Sequence, residues 1–213
     1  MQKLNLRDER RARFARRYES HVEGLNRLVD RMREARNEQA IPYFDPDGGG
    51  QAGRCLFLLE APGPKAVETQ FVALDNPDPT AANMTRLLAE ASICPSDAVT
   101  WNVVPWFIAA SGSSRIRHAT WGDLAEAKPW LDEVVRRLSK LEMVVTVGAW
   151  ASRGWTIYAQ DRTNPIQQIV CGHPSNSHLN RDAPRNRDRI LAVLREVGRR
   201  LAEGRGTSCG SQA

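Results

Sequence analysis

Three polar segments of the sequence each follow an apolar run, and together they carry a carboxylate, an amide and an imidazole. Glu60 begins the segment EAPG, Asn102 lies in WNVVPW, and His173 lies in GHPS. A carboxylate can orient water or offset a positive charge, an imidazole can donate a hydrogen bond to a leaving group, and one amide offers both a donor and an acceptor. The three side chains are candidates for one site if the fold brings their segments together.

The apolar runs are predicted to be strands of one parallel sheet. Strands are predicted at Cys55–Leu59, 98–104, Met143–Val147 and Gln167–Cys171, and helices at 81–91, 121–141, 149–158 and 185–202. This alternation predicts an α/β fold with a central, mostly parallel four-stranded sheet flanked by helices on both faces. Because sites in such sheets gather at the carboxyl ends of the strands, Glu60, Asn102 and His173 are expected at one edge.

The sequence outside this predicted domain has a different character. Residues 6–38 contain no proline and a single glycine, with apolar residues at helical spacing, and they predict one long amphipathic helix or two. Residues 41–53 contain two prolines and three consecutive glycines, which is typical of a loop. The chain is therefore divided into a helical arm and loop at 1–53, an α/β domain at 54–202 and a disordered tail at 203–213.

The charge of the chain is concentrated at its ends. The net charge of the 213 residues is +5; residues 1–40 carry eleven basic and seven acidic side chains, and residues 180–205 carry eight and four. Arginine-rich ends can neutralise phosphates, which nominates a nucleic acid as the partner. Solvated faces of surface helices would have the same composition, so charge alone leaves both interpretations open.

The remaining composition gives expectations about location and thiol chemistry. No apolar stretch has the length of a membrane span, and no apolar leader is present at the N-terminus. Four cysteines lie far apart without a CxxC pair, at Cys55, Cys94, Cys171 and Cys209. We expect a cytoplasmic protein with reduced thiols and no membrane partner, which acts as a monomer.

The three polar segments, in this order, resemble motifs of the uracil-DNA glycosylase superfamily. LEAPG at the end of the first strand is similar to the GEAPG of its iron–sulfur-bearing bacterial branch, and the later NVV and HPS segments also resemble that branch. QFVA at 70–73, KPWL at 128–131 and VVTVGAWA at 144–151 are similar to further motifs of the branch. The resemblance covers about residues 54–200. It implies a uracil-DNA glycosylase-like fold and an enzyme that cleaves N-glycosidic bonds in DNA.

The sequence departs from the family patterns at positions that matter chemically. The cluster-bearing branch has a CxxC pair near its start and continues NVV with Lys-Cys, whereas Pro105 and Trp106 stand here. We therefore expect no iron–sulfur cluster, no other metal and no diffusible cofactor. In the GQDPY branch an aspartate is third in the first motif and a tyrosine follows the proline; Ala61 and Gly63 stand at those positions.

The resemblance also implies roles for individual residues in excision of a flipped base. Glu60 would be the carboxylate near the sugar, with Glu68 and Asp75 as rivals for that role. Asn102 would pair with the edge of uracil, and His173 would donate to the O2 oxygen of the leaving base. The base-binding set would be Ala61, Gly63, Phe71 and Asn102, with Phe71 stacking on the base.

The segment after the HPS motif and several arginines would contact the DNA. Ser175, His178 and Leu179 would form the wedge that fills the gap left by the flipped base, with Leu179 as the apolar candidate and His178 as the alternative. The expected phosphate contacts are Arg115, Arg117 and Arg181. His118 lies in the segment SRIRH, which is similar to a loop whose histidine traps the abasic sugar in one branch of the superfamily.

The function expected from the sequence is removal of uracil from DNA to leave an abasic site. Because Gly63 has no side chain beside the C5 position of the base, activity on other deaminated or C5-modified bases is expected too, unless Trp106 or Phe107 fills the same space. Two alternatives stay open: a catalytically silent DNA-binding relative, and a hydrolase of small nucleosides or nucleotides.

Overall fold

The centre of the computed structural model is a sheet of four parallel strands; the structure describes residues 2–109, 116–163 and 166–206. In chain order the strands are β1 (Tyr43–Phe44), β2 (Cys55–Leu59), β3 (Phe71–Val72), β4 (Ala98–Asn102), β5 (Met143–Val147) and β6 (Gln167–Cys171). The main sheet has the order β4-β2-β5-β6, and β1 pairs with β3 in a small parallel ladder beside it. The chain leaves β2 first toward β4 and later returns to β5, so the strand order reverses beside β2, where parallel sheets open a crevice at their carboxyl ends.

Helices cover both faces of this sheet. They are α1 (Arg7–Ala15), α2 (Glu23–Arg36), α3 (Pro64–Thr69), α4 (Pro79–Glu90), α5 (Trp121–Arg137), α6 (Ala149–Ala159), α7 (Asn176–Arg181) and α8 (Arg185–Gly206). α2, α5 and α6 pack on the face that carries Leu56, Leu58 and Val144, whereas α4 and α8 pack on the face that carries Phe57 and Val145. The predicted four-stranded parallel sheet with helices on both faces is confirmed.

The two inner strands explain why a parallel sheet forms. β2 reads CLFLL and β5 reads MVVTV, and nine of their ten residues are buried. A strand that is apolar on both faces must be covered on both faces, and a helical crossover after each strand provides this cover. The predicted bounds of β2, β5 and β6 agree with the structure.

The N-terminal helices belong to this core, so the predicted division into an arm at 1–53 and a domain at 54–202 needs correction. Leu25, Leu28 and Met32 of α2 are fully buried in the same apolar cluster as Leu56 of the sheet. The amphipathic region forms two helices, α1 and α2, because the helical backbone is interrupted between Ala15 and Glu23. An apolar helix stripe is stabilised mainly by the surface it packs on, and here that surface is the main core.

Several element ends differ from the sequence prediction. β4 ends at Asn102 rather than 104, and α5 ends at Arg137 rather than 141. α8 continues to Gly206, so the first residues of the predicted disordered tail are helical, while residues 207–213 lie outside the described part of the chain. The short elements β1, β3, α3 and α7 have no sequence prediction, because two to six residues show no periodicity that could be recognised.

The described residues include neither a membrane-spanning helix nor a group of metal-ligating side chains. Within 2–109, 116–163 and 166–206, no helix is long and apolar enough to cross a membrane. Over the same residues, no three His, Cys, Asp or Glu side chains are grouped so that they could hold a metal ion. Cys55 and Cys171 are buried as free thiols, and burial raises the pKa of Cys171 to about 12, which leaves it protonated at neutral pH.

Candidate active site

A cavity of about 360 Å³ opens at the carboxyl edge of the sheet. The ends of β2 and β4 form its floor, the start of α3 and the segment between β3 and α4 form its walls, and the residue two positions after β6 closes one side. The lining includes Ala61, Gly63, Val72, Asn76, Asn102 and His173. Its size falls within the range of ligand pockets, which is roughly 300–1,000 Å³.

Asn102 reaches this cavity from the last position of β4, where it lies beside Leu59 of β2. The residue is only 3% exposed. Among the described residues its side-chain amide has no hydrogen-bond partner, and the residue lines the cavity. Buried polar groups are nearly always paired, which indicates that a ligand or water satisfies this amide.

His173 is fixed in one tautomer by its own loop. The backbone N–H of Ser175 donates to Nδ1 of His173 at 3.2 Å, so Nδ1 is an acceptor and the proton of the neutral ring lies on Nε2. Burial lowers the pKa of His173, and the nearby Glu60 carboxylate offsets part of this shift. The ring is therefore a neutral hydrogen-bond donor at the wall of the cavity.

Glu60 follows β2 directly and is held by a distant segment. One carboxylate oxygen, Oε1, accepts a hydrogen bond from the backbone N–H of Ala119 at 2.7 Å and lies 3.1 Å from Nδ1 of His118. The neighbours Leu59 and Ala61 both line the cavity, so Glu60 stands at its rim. The sequence prediction therefore placed Glu60, Asn102 and His173 correctly at one edge of the sheet.

The segment that holds Glu60 is anchored at the start of α5. Thr120 and Asp123 form a reciprocal capping box, in which each side chain bonds the backbone N–H of the other. Arg117 forms a bidentate ion pair with Asp123, with N–O distances of 2.7 and 2.9 Å, and its Nη1 also donates to the backbone oxygen of His118. These bonds lower the pKa of Asp123 well below its usual range.

The rival carboxylates lie elsewhere. Glu68 is exposed and pairs with Lys65 and Arg10, and Asp75 forms a bidentate pair with the buried Arg13. Neither lines the cavity. The arrangement leaves Glu60 as the carboxylate of the sequence-predicted set that stands at this edge.

The predicted base-binding residues are only partly brought together. Ala61 and Gly63 line the cavity, and a Cβ atom added to Gly63 would meet nothing within 4 Å. Phe71 does not reach it: the side chain is completely buried in the core beside Tyr43, with ring centroids 6.3 Å apart. Strand alternation explains the difference, because the next residue, Val72, presents the side chain that lines the cavity.

The predicted wedge is also changed by the structure. Ser175 caps α7 by accepting the N–H of His178, and Leu179 packs against the apolar cluster beneath α8 instead of standing free. His178 is half-buried beside Gly172. Leu179 packs there because the apolar cluster beneath α8 is the apolar surface nearest to α7.

The three arginines predicted to contact phosphates differ in their surroundings. Arg181 is exposed on α7 and stays a candidate. Arg117 forms an ion pair with Asp123, so its charge is already paired and it fixes the loop before α5. Arg115 lies outside the described residues.

Sequence reasoning missed three participants at this edge. Ile116 lines the cavity and is an exposed apolar side chain, Asp78 lines the opposite wall, and Ala119 contributes its backbone N–H to Glu60. The signal for Asp78 was present, because Asp-Pro before a helical segment is a typical N-terminal cap, and its side chain accepts the N–H of Ala81. Nothing in sequence spacing points to Ile116 or to a backbone donor.

A solved structure shares the fold described here, a parallel sheet with helices on both faces. The structure of SMUG2 from Pedobacter heparinus matches this chain with a TM-score of 0.57 and 10% sequence identity, over 87% of this chain and 86% of that one. At this identity the likeness shows the fold. No protein-family model matches the sequence, and no curated protein matches it.

Proposed function

We propose that the chain is a DNA glycosylase that accepts a flipped uracil in the cavity and hydrolyses its N-glycosidic bond. The observation that carries the proposal is that one cavity is lined by Asn102, whose amide has no hydrogen-bond partner among the described residues, and by His173, whose proton lies on Nε2. Both groups offer hydrogen bonds that a ligand or water can complete. The similarity in fold to SMUG2, a member of the uracil-DNA glycosylase superfamily, supports the same proposal.

The reaction creates a positive charge on the sugar and a negative charge on the base. Glu60 is placed to meet the first charge and His173 to meet the second. As the bond between the sugar C1′ and the base N1 breaks, its electron pair leaves with the base, the sugar becomes cationic, and water adds to C1′. Glu60 would stabilise the cationic sugar or orient the water, because its carboxylate is fixed by Ala119 and His118 at the rim. The proton released by the water goes to solvent or to the departing base.

The neutral state of His173 matters for the leaving base. A neutral donor forms a stronger hydrogen bond as negative charge develops on the base oxygen, and its aim is fixed before the reaction begins. Burial keeps the ring neutral by lowering its pKa. The N–H of Ser175 keeps the proton on the nitrogen that is free to donate.

In this proposal Asn102 recognises the base, and Gly63 determines how many different bases the cavity accepts. One amide matches the adjacent acceptor and donor of the uracil edge. Because space beyond Gly63 is open, we expect excision of 5-hydroxymethyluracil or a deaminated purine such as xanthine beside uracil. Gly63→Tyr adds an aromatic ring on this side of the cavity and should narrow the range to uracil, measured as excision rates on a panel of modified bases. Strict uracil specificity in the unchanged protein would mean that another group blocks C5.

One experiment separates this function from a silent DNA-binding protein and from a nucleoside hydrolase. A labelled uracil-containing oligonucleotide is incubated with the protein in EDTA, with and without an excess of free deoxyuridine. A glycosylase produces alkali-labile sites at uracil and is weakly inhibited by deoxyuridine. A silent relative binds the strand in a salt-dependent way and produces no abasic site, and a nucleoside hydrolase consumes deoxyuridine and ignores the strand.

A further inference from the structure

A second, open groove lies on the other side of His173 from the cavity. It has a volume of about 680 Å³ and runs along α6 and the exposed edge strand β6. Its lining includes Trp121, Ser152, Arg153, Gln160, Val170 and His173. His173 lines both the groove and the cavity, so the two spaces are neighbours along the carboxyl edge of the sheet.

The groove presents an aromatic surface to solvent. Trp121 is 60% exposed, which is unusual for tryptophan, and its ring meets that of Trp150 edge-on at a centroid distance of 5.9 Å. Val170 on the edge strand is also exposed. The exposed face of Trp121 is a surface on which a nucleobase can stack.

The charge of the groove selects an anionic partner. The guanidinium of Arg153 lies 4.5 Å from the centroid of Trp150, and within the described residues it has no acidic partner. None of the described residues that line the groove is acidic, and two of them, His173 and His178, are histidines. An aromatic surface next to an unpaired arginine is the combination that proteins use to bind single-stranded nucleic acid, with bases stacked and phosphates paired.

We propose that this groove binds nucleotides that flank the target base on the same DNA strand, in single-stranded form. This inference rests on the proposed function, since the occupant is the continuation of the strand whose target base enters the cavity. Trp121 stacks on a flanking base, and Arg153 pairs with a backbone phosphate. In a duplex the faces of flanking bases are covered by their neighbours, so Trp121 favours a single strand.

The test measures the affinity for DNA and not the rate of base excision. The probes are labelled oligonucleotides that carry 2′-fluoro-deoxyuridine at the target position. The electron-withdrawing fluorine destabilises the cationic sugar, so the glycosidic bond is cleaved much more slowly and binding can be measured. One probe is single-stranded with normal flanks, the second is single-stranded with flanking nucleotides that lack a base, and the third is a duplex. Equilibrium affinity is measured for the unchanged protein and for Trp121→Ala, Trp121→Phe and Arg153→Gln.

The expected result is specific to the flanking bases. Trp121→Ala should bind the first probe roughly tenfold more weakly and the other two with unchanged affinity, and Trp121→Phe should restore most of the loss. Arg153→Gln should lower the salt slope of single-strand binding by about 0.7, the effect of one phosphate contact. Arg195→Gln is the matched control, because Arg195 is exposed on α8 at the opposite face of the sheet, and it should leave the slope unchanged.

The outcomes distinguish this inference from the proposed function. If the protein excises uracil while Trp121→Ala binds all three probes like the unchanged protein, or weakens all three equally, the groove does not hold flanking bases. If no excision occurs but the loss at Trp121 is confined to the first probe, the groove binds single strands and the glycosylase assignment fails.

Discussion

At the scale of single residues, the protonation of His173 is the most specific property to test. Its proton should lie on Nε2, and its pKa should be below the ordinary value of about 6.5 because the ring is buried. The neutral donor should therefore persist as the pH falls through 6.5. The contribution of this neutral ring to stability is complete above about 6.5 and declines below it, because the unfolded chain binds the proton first.

Nuclear magnetic resonance of the imidazole nitrogens measures both properties in one titration. We expect the protonated-Nε2 tautomer at neutral pH and a midpoint below that of an unperturbed histidine. A midpoint above 6.5, or a proton on Nδ1, would remove His173 from its proposed role as a neutral donor.

Replacing Asn102 should raise the stability of the protein and lower its excision activity. Asn102→Leu replaces an unpartnered amide by an apolar group of similar shape, so we expect the free energy of unfolding to rise by about 1 kcal/mol. Excision should fall at least about 100-fold, since the variant lacks the amide proposed to bind the base edge. Urea unfolding and single-turnover excision measure the two effects.

Asn76 provides the matched control for this prediction. It is as buried as Asn102, but its amide accepts from Thr69 at 2.6 Å and donates to the backbone oxygen of Phe71 at 2.9 Å. Asn76→Leu should therefore destabilise the protein by about 1–3 kcal/mol. If both variants lose stability equally, the amide of Asn102 is satisfied within the protein, and the argument for a ligand there is wrong.

At the scale of elements, the start of α5 controls the site through the loop that precedes it. Asp123→Ala removes the capping box and the partner of Arg117. We expect a loss of about 0.5–2 kcal/mol in unfolding free energy. Excision should fall as well, because His118 and Ala119 no longer hold Glu60. Asp123 has a lowered pKa, so its stabilisation is complete above about 3.8 and is lost as the pH falls through the lower folded value.

Asp132→Ala is the control on the same helix. Asp132 pairs with Arg136 and Arg162 at the middle of α5, away from the Glu60 loop. Its removal should leave excision unchanged. Equal excision rates for Asp123→Ala and the unchanged protein would show that the cap does not position Glu60.

The elements also show what a sequence can and cannot predict. The strands β2 and β5 were predictable because a buried parallel strand is a short, continuous apolar run. Phe71 was misassigned because its neighbours read like a family motif, while strand alternation turns its side chain into the core. The partners of Glu60 were unpredictable, because a backbone N–H such as that of Ala119 leaves no mark on residue type.

At the scale of the whole molecule, the N-terminal residues close the core instead of forming a separate arm. α2 packs against the sheet and α5, and Arg13 of α1 binds Asp75 in the segment between β3 and α4. That segment forms a wall of the cavity. The helices before the first strand of the sheet therefore support the cavity itself, which a division of the sequence by composition could not show.

Mass spectrometry of the reaction products shows whether this cavity releases uracil from DNA, as we propose. A uracil-containing single strand is incubated with the protein in EDTA, and strand and supernatant are analysed. We expect free uracil together with a strand in which a hydroxyl replaces the base. His173→Ala should yield neither product although it still binds the strand. A strand that the unchanged protein binds but leaves intact, with no free uracil, would show that the cavity does not release uracil.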